Sequence, residues 1–419
     1  MLLIAFTTLR HRRISFAAAF VALLAGASIV MACGGMLESG LRATGGDAQR
    51  LRILAAVFGG WTTLIVVSGV SSMIALTVQQ RHREIALLRA IGTTQRQARR
   101  MILLETLVLA VPATALAVVP GHFLGRALVT RLGSAEFRQG WLPMVAGALV
   151  ALLAAVGAGY MAGRRAGKTP GSEQLGRARI AVAVGLIGVG ISLGVVTVVA
   201  MRGPYTASTA GPASIWVALG LALLAPGIVR RIAVLLPADG LVAQQARTQF
   251  RQLASVVAPV VLATGIGLAT LYMQATEDSV GRAADMGQTL AVANYAVVSM
   301  ILGFAALTVV NTLVAATSRR RGEFGLLRLA GSTRSQVLRT LATEGVLVAV
   351  VGVALGGVAS LATVLPFSLA RVQSVVPAGS PWILVAVIGA AGAVTLGATL
   401  WSTWLATRTR PITAVARVI

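Results

Sequence analysis

Long apolar runs separated by short polar segments occupy most of this 419-residue chain. A transmembrane helix needs about 20 consecutive apolar residues to cross about 30 Å of hydrocarbon. The runs lack the ten-residue alternation of polar and apolar positions that is typical of barrel strands. The pattern therefore predicts an all-α membrane protein with ten transmembrane helices. The predicted spans are 14–35, 53–77, 101–125, 142–163, 180–201, 213–229, 253–274, 290–316, 345–369 and 382–404.

The composition agrees with this pattern, because 57% of the residues are hydrophobic and only 11% are charged. A soluble domain is nearer half apolar and a quarter charged, so a soluble protein is excluded. The net charge of +24 would suggest a nucleic-acid partner in a soluble chain. Here the basic residues form short clusters between apolar runs, without interleaved aromatic residues. That distribution predicts contact with the lipid bilayer and excludes nucleic acid.

The basic residues also predict the orientation of the chain. If the N-terminus is cytoplasmic, 27 of the 36 Lys and Arg residues fall in the cytoplasmic segments and 9 in the outer segments. This asymmetry lies in short loops, where the positive-inside rule applies. With ten spans, both termini are predicted to lie in the cytoplasm.

No catalytic or metal site is predicted. Cys33 is the single cysteine, and the three histidines lie far apart in sequence, so no ligand set can be recognised. The segment 162–169 differs from a phosphate-binding loop at its first position, and it follows a transmembrane span rather than a β-strand. The chain is therefore not predicted to be an enzyme or to bind a cofactor directly.

An internal repeat with an offset of 239 residues relates the segment that follows the second span to the one that follows the eighth. Internal repetition is informative because it fixes architecture. The matching pairs are Glu84/Glu323, Leu87/Leu326, Leu88/Leu327, Arg89/Arg328, Gly92/Gly331, Thr94/Thr333, Gln97/Gln336 and Glu105/Glu344.

Each copy predicts a short helix, a break and then a helix that enters the membrane. Gly92 and Gly331 suit the left-handed conformation that ends a helix. Thr94 and Thr333 are each followed three residues later by glutamine. This spacing predicts a capping box, in which the threonine and glutamine side chains satisfy free backbone N–H groups.

An apolar face on each short helix predicts a docking surface for another protein. At helical spacing, one face carries Ile85, Leu88 and Ile91, and the other copy carries Phe324, Leu327 and Ala330. Such a stripe fits the groove of a partner. The alternative is an amphipathic helix that lies on lipid headgroups.

Glu105 and Glu344 fall at the start of the following spans. Pairing with Arg89 and Arg328, respectively, would orient the short helix against the span. The alternative is a solvated glutamate at the membrane interface, where a carboxylate costs much less than at the bilayer centre.

The pattern Glu-x-x-x-Leu-Arg-x-x-Gly-x-Thr between two spans, with glutamate at the start of the next span, resembles the coupling segment of FtsX-like permeases. This family includes MacB-type exporters and BceB-type permeases. The modules of the family end in a basic stretch with proline, as Arg164-Arg165 with Pro170 and Arg410-Pro411 do here. The resemblance implies an ATPase-coupling role for these residues: Glu84, Ile85, Leu88, Arg89, Gly92, Thr94, Glu105, Glu323, Phe324, Leu327, Arg328, Gly331, Thr333 and Glu344.

The resemblance also implies the domain organisation. A first FtsX-like module over 1–170 and a second over 246–419 are joined by a linker, 171–245, that carries two further spans. Because two spans restore the orientation, the two four-helix modules are expected to be parallel. The large extracellular domain of the family is lacking, since the loops 37–52 and 275–289 are short.

By this resemblance the chain is expected to be the permease subunit of an ABC transporter in a bacterial cytoplasmic membrane. It would export or flip a hydrophobic or amphipathic compound. Two copies of a partner ATPase, or a heterodimer, would bind ATP and Mg²⁺. One alternative is a membrane sensor that is coupled to an ATPase without transport. A secondary transporter is disfavoured, because it would need intramembrane acids and commonly has inverted repeats.

Overall fold

The computed structural model describes residues 13–43, 46–79, 87, 92–132, 137–138, 140–166, 173–201, 206–235, 241–280, 295, 299, 302–304, 306–314, 317, 326, 329 and 331–407. Within these ranges the regular structure is helical, as the sequence predicts. The long helices are α1 (Arg13–Arg42), α2 (Gly46–Gln79), α3 (Gln95–Leu132), α4 (Trp141–Ala166), α5 (Glu173–Ala200), α6 (Thr206–Leu235), α7 (Leu241–Ser279), α8 (Arg334–Val372) and α9 (Pro381–Thr407).

Eight of the helices in the described part of the chain are long and apolar enough to cross a membrane. They contain most of eight of the ten predicted spans. At the other two predicted spans, 53–77 and 290–316, the apolar helical stretches found among the described residues are shorter. They are Gly59–Ser71, which lies within α2, and Leu302–Val314. The prediction of a multi-pass all-α protein is confirmed, whereas the count of ten spans stays a prediction.

Aromatic side chains mark similar depths on the last helix of each repeat. Trp141 begins α4 and Trp382 lies at the second position of α9, with exposed fractions of 74% and 75%. Nineteen residues further along these helices lie Tyr160 and Trp401, which are also exposed. At 1.5 Å per residue this spacing is about 28 Å, close to the thickness of the hydrocarbon core. Tryptophan and tyrosine concentrate at both membrane interfaces, so the spacing fits two helices that cross the bilayer.

Helices α1–α4 form one compact unit. In it α1 packs against α2, α3 and α4, and α4 packs against α2 and α3. Glycines allow the closest approaches: a Cβ built on Gly121 of α3 would lie 3.1 Å from the carbonyl oxygen of Ser28 in α1. Close approach of small residues is the main way in which helices associate in lipid.

Helices α5–α9 form the second compact unit. Here α7 packs against α8 and α9, and α8 against α9. These are the repeat equivalents of the pairs α1/α3, α1/α4 and α3/α4 in the first unit. The two helices predicted as a linker, α5 and α6, pack against each other and against α8. The domain boundaries at 170/171 and 245/246 remain predictions.

The two small-residue motifs of the sequence, Gly190-x-x-x-Gly194 and Gly352-x-x-x-Gly356, lie at helix contacts. A Cβ on Gly190 would come within 2.7 Å of the carbonyl oxygen of Ala213 in α6. One on Gly356 would come within 2.9 Å of the carbonyl oxygen of Val261 in α7. Both motifs therefore have a packing role.

The hydroxyl of Thr363 joins α8 to the backbone of α6. Its Oγ1 accepts a hydrogen bond from the backbone N–H of Ser214 (3.0 Å) and donates one to the carbonyl of Ala210 (2.5 Å). Pro212 lies between these residues and has no N–H to contribute to the helix. Threonine side chains that satisfy backbone groups near a proline make such helices tolerable inside a membrane.

Candidate functional site

The site is built at the two turns that precede α3 and α8. Gly92 and Gly331 have the same backbone conformation, with φ +99° in both. This is the left-handed region of backbone conformation, which residues other than glycine rarely adopt. Apart from the chain neighbours of each glycine, no described residue has an atom within 4 Å of a Cβ built there, so the requirement for glycine is conformational rather than steric. The predicted left-handed turn is confirmed in both copies.

Both predicted capping boxes are present. In the first, the N–H of Thr94 donates to Gln97 Oε1 (2.9 Å), and the N–H of Gln97 donates to Thr94 Oγ1 (3.3 Å). In the second, the same bonds join Thr333 and Gln336 at 2.8 and 3.3 Å. At the N-terminus of each of the two helices, the box therefore satisfies two backbone N–H groups that have no partner within the helix. The helices α3 and α8 therefore begin at repeat-equivalent positions with the same local geometry.

Glu105 and Glu344 are each the eleventh residue of their helix. Only 7% of Glu105 and 5% of Glu344 is exposed. The alternative of a solvated interfacial glutamate is therefore wrong for both copies. Burying a carboxylate away from water costs free energy unless its surroundings stabilise the charge, so both positions are exceptional within a membrane helix. The predicted pairing with Arg89 and Arg328 lies outside the described residues.

Next to these glutamates, each unit contains one glycine opposite one threonine. A Cβ built on Gly159 of α4 would meet the Oγ1 of Thr106 in α3 at 2.9 Å. In the second unit the repeat equivalent of Thr106 is Gly345, and its Cβ would meet the Oγ1 of Thr399 in α9 at 3.2 Å. The glycine therefore lies on the last helix, α4, in the first unit and on α8 in the second, and the threonine lies on the opposite helix of each pair. Sequence reasoning missed this pairing, although an alignment of the two repeats over α4 and α9 could have suggested it.

Exposed leucines mark the segment that precedes each turn. Leu87 is 69% exposed, and its repeat equivalent Leu326 is 57% exposed. Leu329, one helical turn after Leu326, is 55% exposed. Large apolar side chains that are exposed in both copies fit a surface for a partner, or contact with lipid headgroups, the alternative that the sequence leaves open. None of the three was among the residues proposed from the sequence.

The remaining predicted coupling residues lie outside the described part of the chain: Glu84, Ile85, Leu88, Arg89, Glu323, Phe324, Leu327 and Arg328. Among the residues that the structure does describe, no group of three or more His, Cys, Asp and Glu side chains could hold a metal ion.

An all-helical, multi-pass chain with a duplicated turn, cap and buried glutamate has the features of a membrane transport subunit. The family model for the FtsX-like permease C-terminal domain matches residues 56–171 and 295–411. The matches begin 239 residues apart, which is the offset of the repeat, and together they cover more than half of the chain. The chain belongs to the FtsX-like permease family, whose members are membrane subunits of ABC transporters. A search of curated proteins gave no match.

The two matches contain Gly92, Thr94 and Glu105 and their counterparts Gly331, Thr333 and Glu344. Residues 172–294 lie between them, so α5, α6 and α7 fall outside both matches. The family is one of transport subunits that associate with an ABC ATPase and are generally not catalytic themselves.

Proposed function

We propose that this chain is the permease of an ABC exporter and docks two ATPase subunits, one at each of the short segments 82–91 and 321–330. The observation that carries the proposal is the repetition of one local structure: an exposed leucine, a left-handed glycine and a capped helix, twice at an offset of 239 residues. A protruding apolar side chain next to a fixed turn can act as an anchor in a partner's groove.

The caps would connect docking to movement of the membrane helices. Each capped helix follows its turn within three residues and continues for 38 residues in α3 and 39 in α8. At 1.5 Å per residue this is about 57 Å, enough to cross the bilayer. A displacement of the turn is therefore transmitted to the far end of the same helix. We call the end near Gly92 or Gly331 the coupling end and the opposite end the distal end.

The substrate in this proposal is a hydrophobic or amphipathic compound, such as a lipid, a peptide antibiotic or a drug. It would enter from a membrane leaflet or from the cytoplasm. The predicted outer segments 37–52 and 275–289 are too short to form an outer receptor domain, and the helices α1, α2 and α7 extend into them. ATP and Mg²⁺ would bind to the partner ATPases. Vectorial transport in proteoliposomes, driven by ATP, separates this function from that of a sensor that hydrolyses ATP without moving a compound.

One copy of the chain should satisfy one ATPase dimer. Each chain supplies two docking segments in parallel modules, whereas a permease with a single module would have to dimerise. The segments are similar but not identical, with Arg83 corresponding to Gly322 and Ile85 to Phe324, which is compatible with a heterodimeric ATPase. Native mass spectrometry of the complex with its partner ATPase should show one permease and two ATPase chains. Two permeases per complex would contradict the proposal.

Cysteine labelling should place both coupling ends in the cytoplasm of a bacterial cell. Cys33→Ser removes the only native cysteine, which is buried. In that background a cysteine at Val280, which is 46% exposed at the distal end of α7, should react with an impermeant maleimide added outside. Cysteines at Gln95 and Arg334, both exposed at the coupling end, should react only after the membrane is permeabilised. Labelling of Gln95→Cys from outside would reverse the orientation.

A further inference from the structure

Two glutamates lie near the C-terminal ends of α1 and α7, which we also call distal ends, and their separation in sequence equals the offset of the repeat. Glu38 and Glu277 are 239 residues apart, and both lie outside the two family matches. Each lies within the last turns of its helix, because α1 ends at Arg42 and α7 at Ser279. The C-terminal end of a helix carries partial negative charge and favours cations. A glutamate retained there in both copies therefore needs a compensating interaction.

In the first unit, Glu38 holds the connection between α3 and α4. Its Oε2 accepts a hydrogen bond from the backbone N–H of Gly140 (2.7 Å), and its Oε1 accepts one from Arg42 (2.5 Å). The adjacent Ser39 accepts a hydrogen bond from the N–H of Arg138 (3.1 Å). A Cβ on Gly140 would lie 2.5 Å from Glu38 Oε1, so any larger residue would have to displace the Glu38 carboxylate. The residues just before α4 are thereby fastened to the end of α1.

In the second unit, Glu277 holds the end of α8 directly. Arg371, in the last turn of α8, donates from Nε and Nη2 to the two carboxylate oxygens of Glu277 at 2.7 and 2.5 Å. Two parallel charge-assisted bonds fix the relative orientation of the two groups as well as their distance. The pair is partly buried, with 19% of the Arg371 side chain and 33% of the Glu277 side chain exposed.

The connection that follows α8 also lies against α7. Gly379, the repeat equivalent of Gly140, is so close to Tyr272 that a Cβ would meet its ring at 2.8 Å. The hydroxyl of Ser368 in α8 donates to the carbonyl of Val376 (3.2 Å). A glutamate near the end of α1 or α7 and a closely packed glycine before α4 or α9 therefore recur at the offset of 239 residues. Their chemistry differs, since the glutamate binds a backbone N–H in one unit and an arginine in the other.

We propose that Glu38 and Glu277 are positioning residues. Glu277 fastens the distal end of α8 to α7, and Glu38 fastens the connection between α3 and α4 to α1, so that movement of α8 and α3 is passed to α7 and α1. This role rests on the proposed function, because α3 and α8 would receive that movement at their coupling ends. Without the fastening, the coupling end could still bind and move while the distal ends separate. We name this pair of contacts the distal clamps.

Hydrogen exchange of the full-length protein in lipid nanodiscs tests the second clamp. Glu277→Gln keeps the size of the side chain but loses its charge. It should accelerate amide exchange in the last turn of α8, residues 369–372, about tenfold, because local opening there no longer has to break the ion pair. Charge exchange, Glu277→Arg with Arg371→Glu, should return most of the protection. Asp278→Asn is the matched control, because it neutralises the adjacent carboxylate and leaves the Glu277–Arg371 pair in place. Unchanged exchange in Glu277→Gln would overturn the clamp.

Transmission is measured in the complex with the partner ATPase. In the complex of the unsubstituted protein, a non-hydrolysable ATP analogue should alter hydrogen exchange at the distal end of α7. In the Glu277→Gln complex this response should be lost, although the ATPase remains bound. An equal response in both proteins would overturn the positioning role. If the unsubstituted complex does not respond to nucleotide, that result counts against the proposed function instead. The clamp is then judged on the exchange of residues 369–372 alone.

Discussion

Replacing Leu87 and Leu326 together by aspartate is expected to abolish capture of the partner ATPase while the helices still insert. Both leucines are exposed, with fractions of 69% and 57%, so neither contributes to the folded core. An apolar anchor in a partner's groove can be worth about 2 kcal/mol or more, which is about thirtyfold in affinity. Because one ATPase dimer engages both segments, the loss of both anchors removes the second, linked binding event as well.

Affinity chromatography of the permease–ATPase complex measures this loss. Leu87→Asp alone and Leu326→Asp alone should each weaken capture without eliminating it. Val280→Asp is the matched control, because it replaces another exposed apolar side chain by aspartate, outside both docking segments. Full capture by the double variant would contradict docking through these leucines. Loss of capture only in Leu88→Asp with Leu327→Asp would assign docking to the apolar stripe predicted from the sequence.

Gly356→Ala is expected to destabilise the second unit, whereas the adjacent Gly357→Ala is not. A Cβ at Gly356 would meet the Cβ of Thr264 at 2.7 Å, the carbonyl oxygen of Val261 at 2.9 Å and the N–H nitrogen of Gly265 at 3.0 Å. Two of these atoms belong to the backbone of α7 and cannot rotate away. The helices must therefore separate, at a cost of about 1–3 kcal/mol for overpacking.

The neighbouring glycine provides the control within the same helical turn. Outside the backbone of its own helix, no residue in the described part of the chain has an atom within 4 Å of a Cβ on Gly357. Alanine favours a helix over glycine by about 1 kcal/mol in water. Thermal unfolding in detergent, followed by tryptophan fluorescence, should therefore show a lower midpoint for Gly356→Ala and an equal or higher one for Gly357→Ala. Equal midpoints for both variants would show that α7 and α8 can relax around the added methyl group.

Structural features that depend on residues close together in the sequence, such as caps and turns, were predictable. The capping boxes depend on a threonine and a glutamine three positions apart, and the turns depend on glycine at a left-handed position. Both are local, and both were predicted in each copy. The small-residue motifs were also predictable, because close helix contact in lipid requires small side chains.

Features set by distant residues were not predictable. Glu38 contacts Gly140, which is 102 positions away, and nothing in the local sequence of either residue indicates the other. The burial of Glu105 and Glu344 depends on which helices pack over them. Helical spacing predicts an apolar stripe through Leu88 and Leu327, yet spacing alone cannot show which side chains face water, and so it missed Leu87 and Leu326.

The exchanged glycine and threonine between the units have a consequence for assembly of the chain during synthesis. The duplicated halves offer each nascent helix two similar partners, and an α3 that paired with α9 would bring Thr106 against Thr399. The reciprocal pairing of α8 with α4 would leave Gly345 opposite Gly159, with a gap where a side chain should be. Overpacking and cavities both cost free energy. Both mispaired arrangements would therefore be less stable than the native pairs, α3 with α4 and α8 with α9, and this difference favours correct assembly of the duplicated halves.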